Sequence, residues 1–378
     1  MLSSVVGCSS ASHTSPAMSH AADASDATAH ADARPDALRT DASKDGGASL
    51  DAAGAGAPVD VPITLSAPSA SGTVRFSIPV TLGSSPPVEA FLDTGSSGLR
   101  ILPGVLPSSA FAEITTTKVT SSYHSGLTLS GVIATINVSI GGLSTPTPIP
   151  VMLVQTVSCA ADEPNCGANG VDAGGYTFFE TSRVLIGVGL RNSASSGGVA
   201  SPIPQLQGSP SFLIQGATHG GTSATMVLRP DTASLPTLKT FSLPKEDGGA
   251  PLPNGVSAFA DRYGLPACLN DTTHGVDYCV PAELDTGNPP VYIEWPGAGD
   301  AGERVLPPAT MVEVTIGPEA GVLEQYSFTV GSVPTSGVDA VEVEPATLPP
   351  YMNLGTQVFF RYDVYFDPLH GVVGFATR

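Results

Sequence analysis

From residue 59 onward, apolar and polar positions alternate with the two-residue period of strands that bury one face. Val74-Arg75-Phe76-Ser77-Ile78-Pro79-Val80-Thr81-Leu82-Gly83 follows that pattern and ends at a turn. Ser85-Pro86-Pro87 then reverses the chain and residues 88–92 return as a second strand. Residues 132–140 predict a further strand, closed by Gly141-Gly142. Residues 357–366, rich in aromatic and β-branched side chains, read as another, and Asp367-Pro368 turns them into a last strand over 371–376. No segment sustains a long helical period. The pattern therefore predicts an all-β chain of many short strands.

Residues 9–58 break this pattern. They are Ala, Ser, Asp, Gly and Thr with almost no large apolar side chain, too little to offset the entropy of ordering. We read them as a disordered linker, and residues 59–378 as the folded part. Composition supports the strand reading: 42 Gly and 35 Pro among 378 residues are too many turn formers for a helical bundle. A hydrophobic share of 41% suffices for a sizeable core. Thirty-four acidic against 15 basic residues give a net charge of −19, and no Lys/Arg cluster exists to follow a phosphate backbone, so nucleic acid is excluded as a partner. No apolar run reaches the ~18 residues of a membrane-spanning helix.

The five cysteines add a compartment. Val6-Gly7-Cys8 resembles the lipobox of bacterial lipoproteins, so residues 1–8 are expected to be a truncated signal with Cys8 as the lipidated residue, and the tether follows directly. The remaining four form two local pairs with nothing left over, Cys159–Cys166 and Cys268–Cys279, which suggests two short disulfide loops in an oxidising compartment. Zinc is the rival reading, but no CxxC pair occurs and His124, His219, His274 and His370 are scattered singly. The expected location is the cell envelope, outer membrane or periplasm, with membrane contact only through the lipid.

Two segments repeat each other. Phe91-Leu92-Asp93-Thr94-Gly95-Ser96-Ser97-Gly98-Leu99-Arg100-Ile101 has a counterpart in Glu283-Leu284-Asp285-Thr286-Gly287-Asn288-Pro289-Pro290-Val291-Tyr292-Ile293. Each Asp-Thr-Gly is entered and left through apolar residues, and Leu99 and Ile101 stand at the same offsets from their Asp as Val291 and Ile293. One such tripeptide is a common turn; two in matching strand contexts point to paired carboxylates, which can share a proton and work as general acid and base.

These motifs resemble those of the pepsin-like aspartic proteases, in which two lobes each present an Asp-Thr-Gly loop to a shared cleft. Tyr123-His124-Ser125-Gly126 followed by Ser130-Gly131 and Gly141-Gly142 is similar to the family's flap. Leu185-Ile186-Gly187 is similar to the segment that braces the first loop, and Leu354-Gly355 with residues 358–376 to the closing strands. The resemblance implies an all-β, bilobal fold with the cleft between β-barrel-like lobes at 59–238 and 239–378. It implies an aspartic endopeptidase with Asp93 and Asp285 as the dyad, without metal or cofactor, acting as a monomer on a peptide or protein. Thr94 and Thr286 would lock the loops together, Ser96 would donate to Asp93, Gly95 and Gly287 would let the backbone approach the carboxylates, and Tyr123 and Gly126 would belong to the flap. Asn288 stands where the second loop normally carries Ser or Thr. Asn353 replaces an apolar residue, and Arg100 replaces the Trp that partners the flap tyrosine. A guanidinium close to the dyad would push both carboxyls down in pKa; an acidic residue or backbone carbonyls could instead hold it aside, leaving the cation to recognise an acidic or carboxylate-bearing substrate. The rival reading is a pepsin-fold protein that binds peptide or glycan in the cleft without cleaving it; a purely structural lipoprotein leaves the paired loops unexplained.

Overall fold

In the computed structural model, the described residues are 56–378 without 70–71, 162, 165, 180–181, 192–198, 209, 247–256, 297–303, 319–320, 332–337 and 346–348. Cys8 and nearly all of the expected linker at 9–58 lie outside them. The period of two in the sequence becomes pleat: every second side chain of Phe76–Leu82 is buried, and Leu265–Asp271 repeats the pattern. Ser97–Ile101 and Val184–Val188 are buried on both faces, because each has strands beside it and packed layers above and below.

The fold is all-β, with two curled sheets of fifteen and eight strands. The smaller sheet is drawn from Leu265–Asp271 through Met352–Asn353. The larger takes the strands up to Ser223–Leu228 together with Lys239–Ser242, Tyr362–Asp367 and Val372–Thr377. The chain thus returns at its end to the sheet in which it began, through pairing of Tyr362–Asp367 with Phe212–Gln215. One hydrophobic core runs through both sheets, from Ile78 and Leu92 to Leu269, Ile293 and Phe375. A second, around Phe91, Leu129, Met152 and Leu185, fills the space beneath the hairpin of Glu113–Ser122 and Leu127–Ile136.

The strand expected over 357–366 begins later than its composition suggests. Gln357–Arg361 is a short α-helix, and the strand is Tyr362–Asp367. The helical turn buries Val358 and Phe359, and Phe359 meets Phe76 edge-on at 6.1 Å; tertiary packing overrides the β propensity of the aromatic run. Both disulfides are formed, with Cα separations of 5.5 Å for Cys159–Cys166 and 4.0 Å for Cys268–Cys279, which suggests an oxidising, exported compartment. Among the described residues no helix is long and apolar enough to cross a membrane.

Two hairpins close with the same five-residue device, which the sequence shows as Asp271-Thr272-Thr273-His274-Gly275 and Asp367-Pro368-Leu369-His370-Gly371. In the second, Asp367 Oδ1 accepts the N–H groups of Leu369 (3.0 Å) and His370 (3.1 Å), while Oδ2 meets His370 Nδ1 at 2.7 Å. Asp271 does the same for Thr273 and His274. Each Asp is buried and its His exposed. Asp367→Ala removes the acceptor of two turn N–H groups, and the expected destabilisation is about 0.5–1.5 kcal/mol, read as a lower urea midpoint with an unchanged slope.

Candidate active site

The two Asp-Thr-Gly segments sit in equivalent places. Val88–Asp93 enters the first and Ser97–Ile101 leaves it; Val184–Val188 lies between them, parallel to the former and antiparallel to the latter. In the smaller sheet Val276–Glu283 enters and Val291–Trp295 leaves, with Met352–Asn353 between them in the same two senses. Each loop is therefore gripped by three hydrogen-bonded strands, and the two loops meet.

The threonines join them. Thr94 N–H donates to Thr286 Oγ1 (3.1 Å) and Thr286 N–H to Thr94 Oγ1 (2.9 Å). The Thr94 hydroxyl donates onward to the Leu284 carbonyl and that of Thr286 to the Leu92 carbonyl, both at 2.7 Å. Thr286 is fully buried and Thr94 nearly so, so every polar atom of this lock has its partner inside the protein. Asp93 and Asp285 are brought side by side, 4% and 9% exposed. Gly95 lies against the Asp285 carboxyl, where a methyl group would overlap it. A methyl on Gly287 would stand 2.7 Å from Asp93 Oδ1. Only glycine allows each loop to come this close to the other loop's acid.

Gly95 N–H donates to Asp93 Oδ1 (2.9 Å) and the Ser96 hydroxyl to Oδ2 (2.5 Å); Gly287 N–H donates to Asp285 Oδ1 (2.6 Å). Burial, followed by the neighbouring Asp285 charge, pushes the Asp93 carboxyl well above the usual carboxylate range; the Ser96 hydrogen bond and the Arg100 charge pull it part of the way back. A second carboxyl this close disfavours the ionised form of Asp93, so the proton is held on it more firmly than on an isolated acid.

Asn288 does not join the dyad. Its amide donates to the Pro290 carbonyl at 3.2 Å, because Pro289-Pro290 turns the loop away from the acids. Its place is taken by Asn353, whose Nδ2 donates to Asp285 Oδ2 at 2.7 Å while its Oδ1 accepts the Gly355 N–H at 2.9 Å. Asn353 was visible in the sequence only as a polar residue at an apolar place, and a buried polar residue needs a partner.

Arg100 lies on the face opposite Leu99 and Ile101, which enter the main core. Its Nη1 donates to the carbonyls of Ser97 (2.6 Å) and Gly98 (2.8 Å), so the backbone of its own strand holds the guanidinium. The Tyr123 ring stands 5.9 Å from its Cζ, and burial pushes the Tyr123 hydroxyl up to about 12. Tyr123 and Gly126 form the turn of the hairpin, closed by a 3.0 Å bond from Gly126 N–H to the Tyr123 carbonyl. Ala160 N–H, within the Cys159–Cys166 loop, donates to the Gly126 carbonyl at 2.7 Å and so props that turn. From its tip, His124 packs 3.9 Å from the Tyr292 ring of the smaller sheet.

A buried ionic network below the loops escaped sequence reasoning. Arg191 donates to Glu283, to Asp261 Oδ1 (2.9 Å) and to the carbonyl of Gly95. Arg262 Nε lies 3.3 Å from the other Glu283 oxygen, and its Nη2 donates to the Tyr351 hydroxyl at 2.6 Å. Burial raises Glu283 to about 7, with Arg191 and Arg262 pulling it down and Asp285 pushing it up. On the other loop, Arg75 Nη1 donates to the Gly287 carbonyl at 2.8 Å, its guanidinium resting 4.2 Å from the Phe179 ring. The glycine carbonyl of each Asp-Thr-Gly is thus held by an arginine. Chemically, the arrangement offers one proton donor and one proton acceptor fixed side by side below a hairpin. Neither a protein family nor a curated protein matches this chain.

Proposed function

We propose that the protein is a pepsin-like aspartic endopeptidase, exported and tethered through Cys8. The observation that carries this reading is the reciprocal Thr94–Thr286 lock, which brings carboxyls from two sheets into a pair sharing one proton. The unprotonated member takes a proton from water as the water oxygen adds to the scissile carbonyl. The protonated member gives its proton to the carbonyl oxygen. As the tetrahedral intermediate collapses, the C–N bond breaks, the amine nitrogen takes a proton from the first carboxyl and the hydroxyl returns one to the second. Ser96 and Asn353 orient the two acids, and Tyr123 closes from above. The retention of Arg100 on the Ser97 and Gly98 carbonyls supports a working dyad over one held doubly ionised by a nearby cation.

The test is digestion of a mixed peptide library at about pH 3–6, where the shared proton is retained, with and without a statine-type inhibitor. Cleavage abolished by the inhibitor is expected. Tight inhibitor binding with no cleavage would replace the enzyme with a peptide-binding protein of the same fold.

A further inference from the structure

Two buried donors near Asp93 lack a well-formed hydrogen bond among the described residues. Arg100 is 4% exposed, yet its Nε makes no hydrogen bond, and it forms no ion pair among the described residues. Among the described residues its one side-chain hydrogen bond beyond its own strand is a long one, 3.4 Å from Nη2 to the Ser121 hydroxyl. The Tyr123 Oη is also buried, and its contact with the Ser96 hydroxyl falls short of a hydrogen bond of good geometry. The two share one neighbourhood, with Arg100 Cζ 5.9 Å from the Tyr123 ring centre and the Arg100 and Asp93 charges both acting on the phenol. Tyr123 and Ser96 are only partly buried, so this neighbourhood reaches the surface at the dyad.

A buried donor without an acceptor is costly, and a buried guanidinium without a carboxylate more so. The cross-strand neighbours of Arg100, which are Leu185 and Met152, offer no side-chain acceptor. One negatively charged acceptor between the two groups would answer both, with the short, charge-assisted bond that a guanidinium makes best.

We propose that Arg100 and Tyr123 form a carboxylate subsite beside the dyad. Building on the endopeptidase reading above, it selects substrates with an acidic group next to the scissile bond. The carboxylate enters with the hairpin raised and accepts from Arg100 Nε and the Tyr123 hydroxyl as the hairpin settles. The net charge of −19 opposes the approach of such a substrate, so the selection arises at contact and not in long-range attraction.

The experiment uses the whole protein and matched peptides with Glu or Gln adjoining the cleaved bond, together with non-cleavable statine-type versions of each read by calorimetry. A further pair, whose only carboxylate is the chain terminus or its amide, separates a side-chain source from a terminal one. Preference for the carboxylate over its amide by about tenfold or more is expected, in kcat/KM and in affinity. In Arg100→Leu that ratio falls to near one, and Arg100→Lys restores part of it. Equal use of Glu and Gln by the wild-type protein would mean that the two donors merely share a structural water, and the subsite would be refuted with the endopeptidase intact. Preferential binding of the Glu statine with no cleavage of any peptide would keep the subsite and remove the endopeptidase. No binding of either kind would remove both.

Discussion

Asp93→Asn and Asp285→Asn each abolish peptide cleavage while the circular dichroism of the fold is retained. An amide fits the space of the carboxyl and its oxygen can still accept the glycine N–H of the loop, but it neither takes up nor releases a proton at working pH. The expected loss in kcat is at least ~10²–10⁴-fold, the range that one positioned acid or base supplies. Near-wild-type cleavage by Asp285→Asn would rule out a paired-carboxylate mechanism. A second readout follows from linkage. Burial and Asp285 raise the Asp93 carboxyl from its ordinary value of 3.8 to about 8, so the folded state binds its proton more tightly than the unfolded chain does. That contribution to stability is fully present below about pH 4 and is lost as the pH rises towards 8. Asp93→Asn removes it. The Tm of the variant should therefore match that of the wild type near pH 3 and exceed it increasingly between about pH 4 and 8. Cleavage by the wild type declines over the upper part of the same window, as the shared proton leaves.

What could be read from the sequence was local. The period of two marked Phe76–Leu82 and Val88–Asp93, and the repeat around Asp-Thr-Gly placed Asp93 and Asp285 in equivalent strand contexts. The threonine bonds follow from those same tripeptides. The cysteine pairs were adjacent in sequence and are bridged. The donors that complete the site are not local. Asn353 reaches Asp285 only because its short strand is inserted between the two strands of the second loop. Asn288, adjacent in sequence to Gly287, is turned aside by Pro289-Pro290. Asp261, Arg191 and Glu283 come from three separate places along the chain and carry no motif, since an ion pair needs only proximity and has no periodicity. The helix at Gln357–Arg361 was hidden for a related reason: five residues are too few to display a period, and the packing of Val358 and Phe359 decides the conformation.

Arg191→Leu is expected to destabilise the protein by about 3–5 kcal/mol at neutral pH, because it strands carboxylates that are already buried. Glu283 is 3% exposed at its side chain and Asp261 10%, and among the described residues Arg191 is the one cation that contacts both. With the Arg191 side chain gone, Asp261 keeps the backbone N–H groups of Leu190 at 2.6 Å and of position 191 at 3.3 Å, but among the described residues the Glu283 carboxylate keeps only Arg262 at 3.3 Å. Glu283 then accepts a proton more readily than before, from a starting value already raised to about 7. A carboxyl raised in the folded state loses stability as the pH rises, so the defect is smallest in acid and grows above about pH 7. Urea unfolding at pH 5 and pH 8 checks the sign: a midpoint gap between variant and wild type that is equal at both values, or larger at pH 5, would mean that the network does not act through Glu283. Glu283→Gln in the Arg191→Leu background should recover part of the loss, since it removes the stranded charge. Arg191→Lys should recover less than the native residue provides, because one ammonium cannot match a planar guanidinium that serves two carboxylates and a carbonyl at once. The carbonyl is that of Gly95, the residue whose N–H orients Asp93, so in both variants cleavage should fall by more than the unfolded fraction explains.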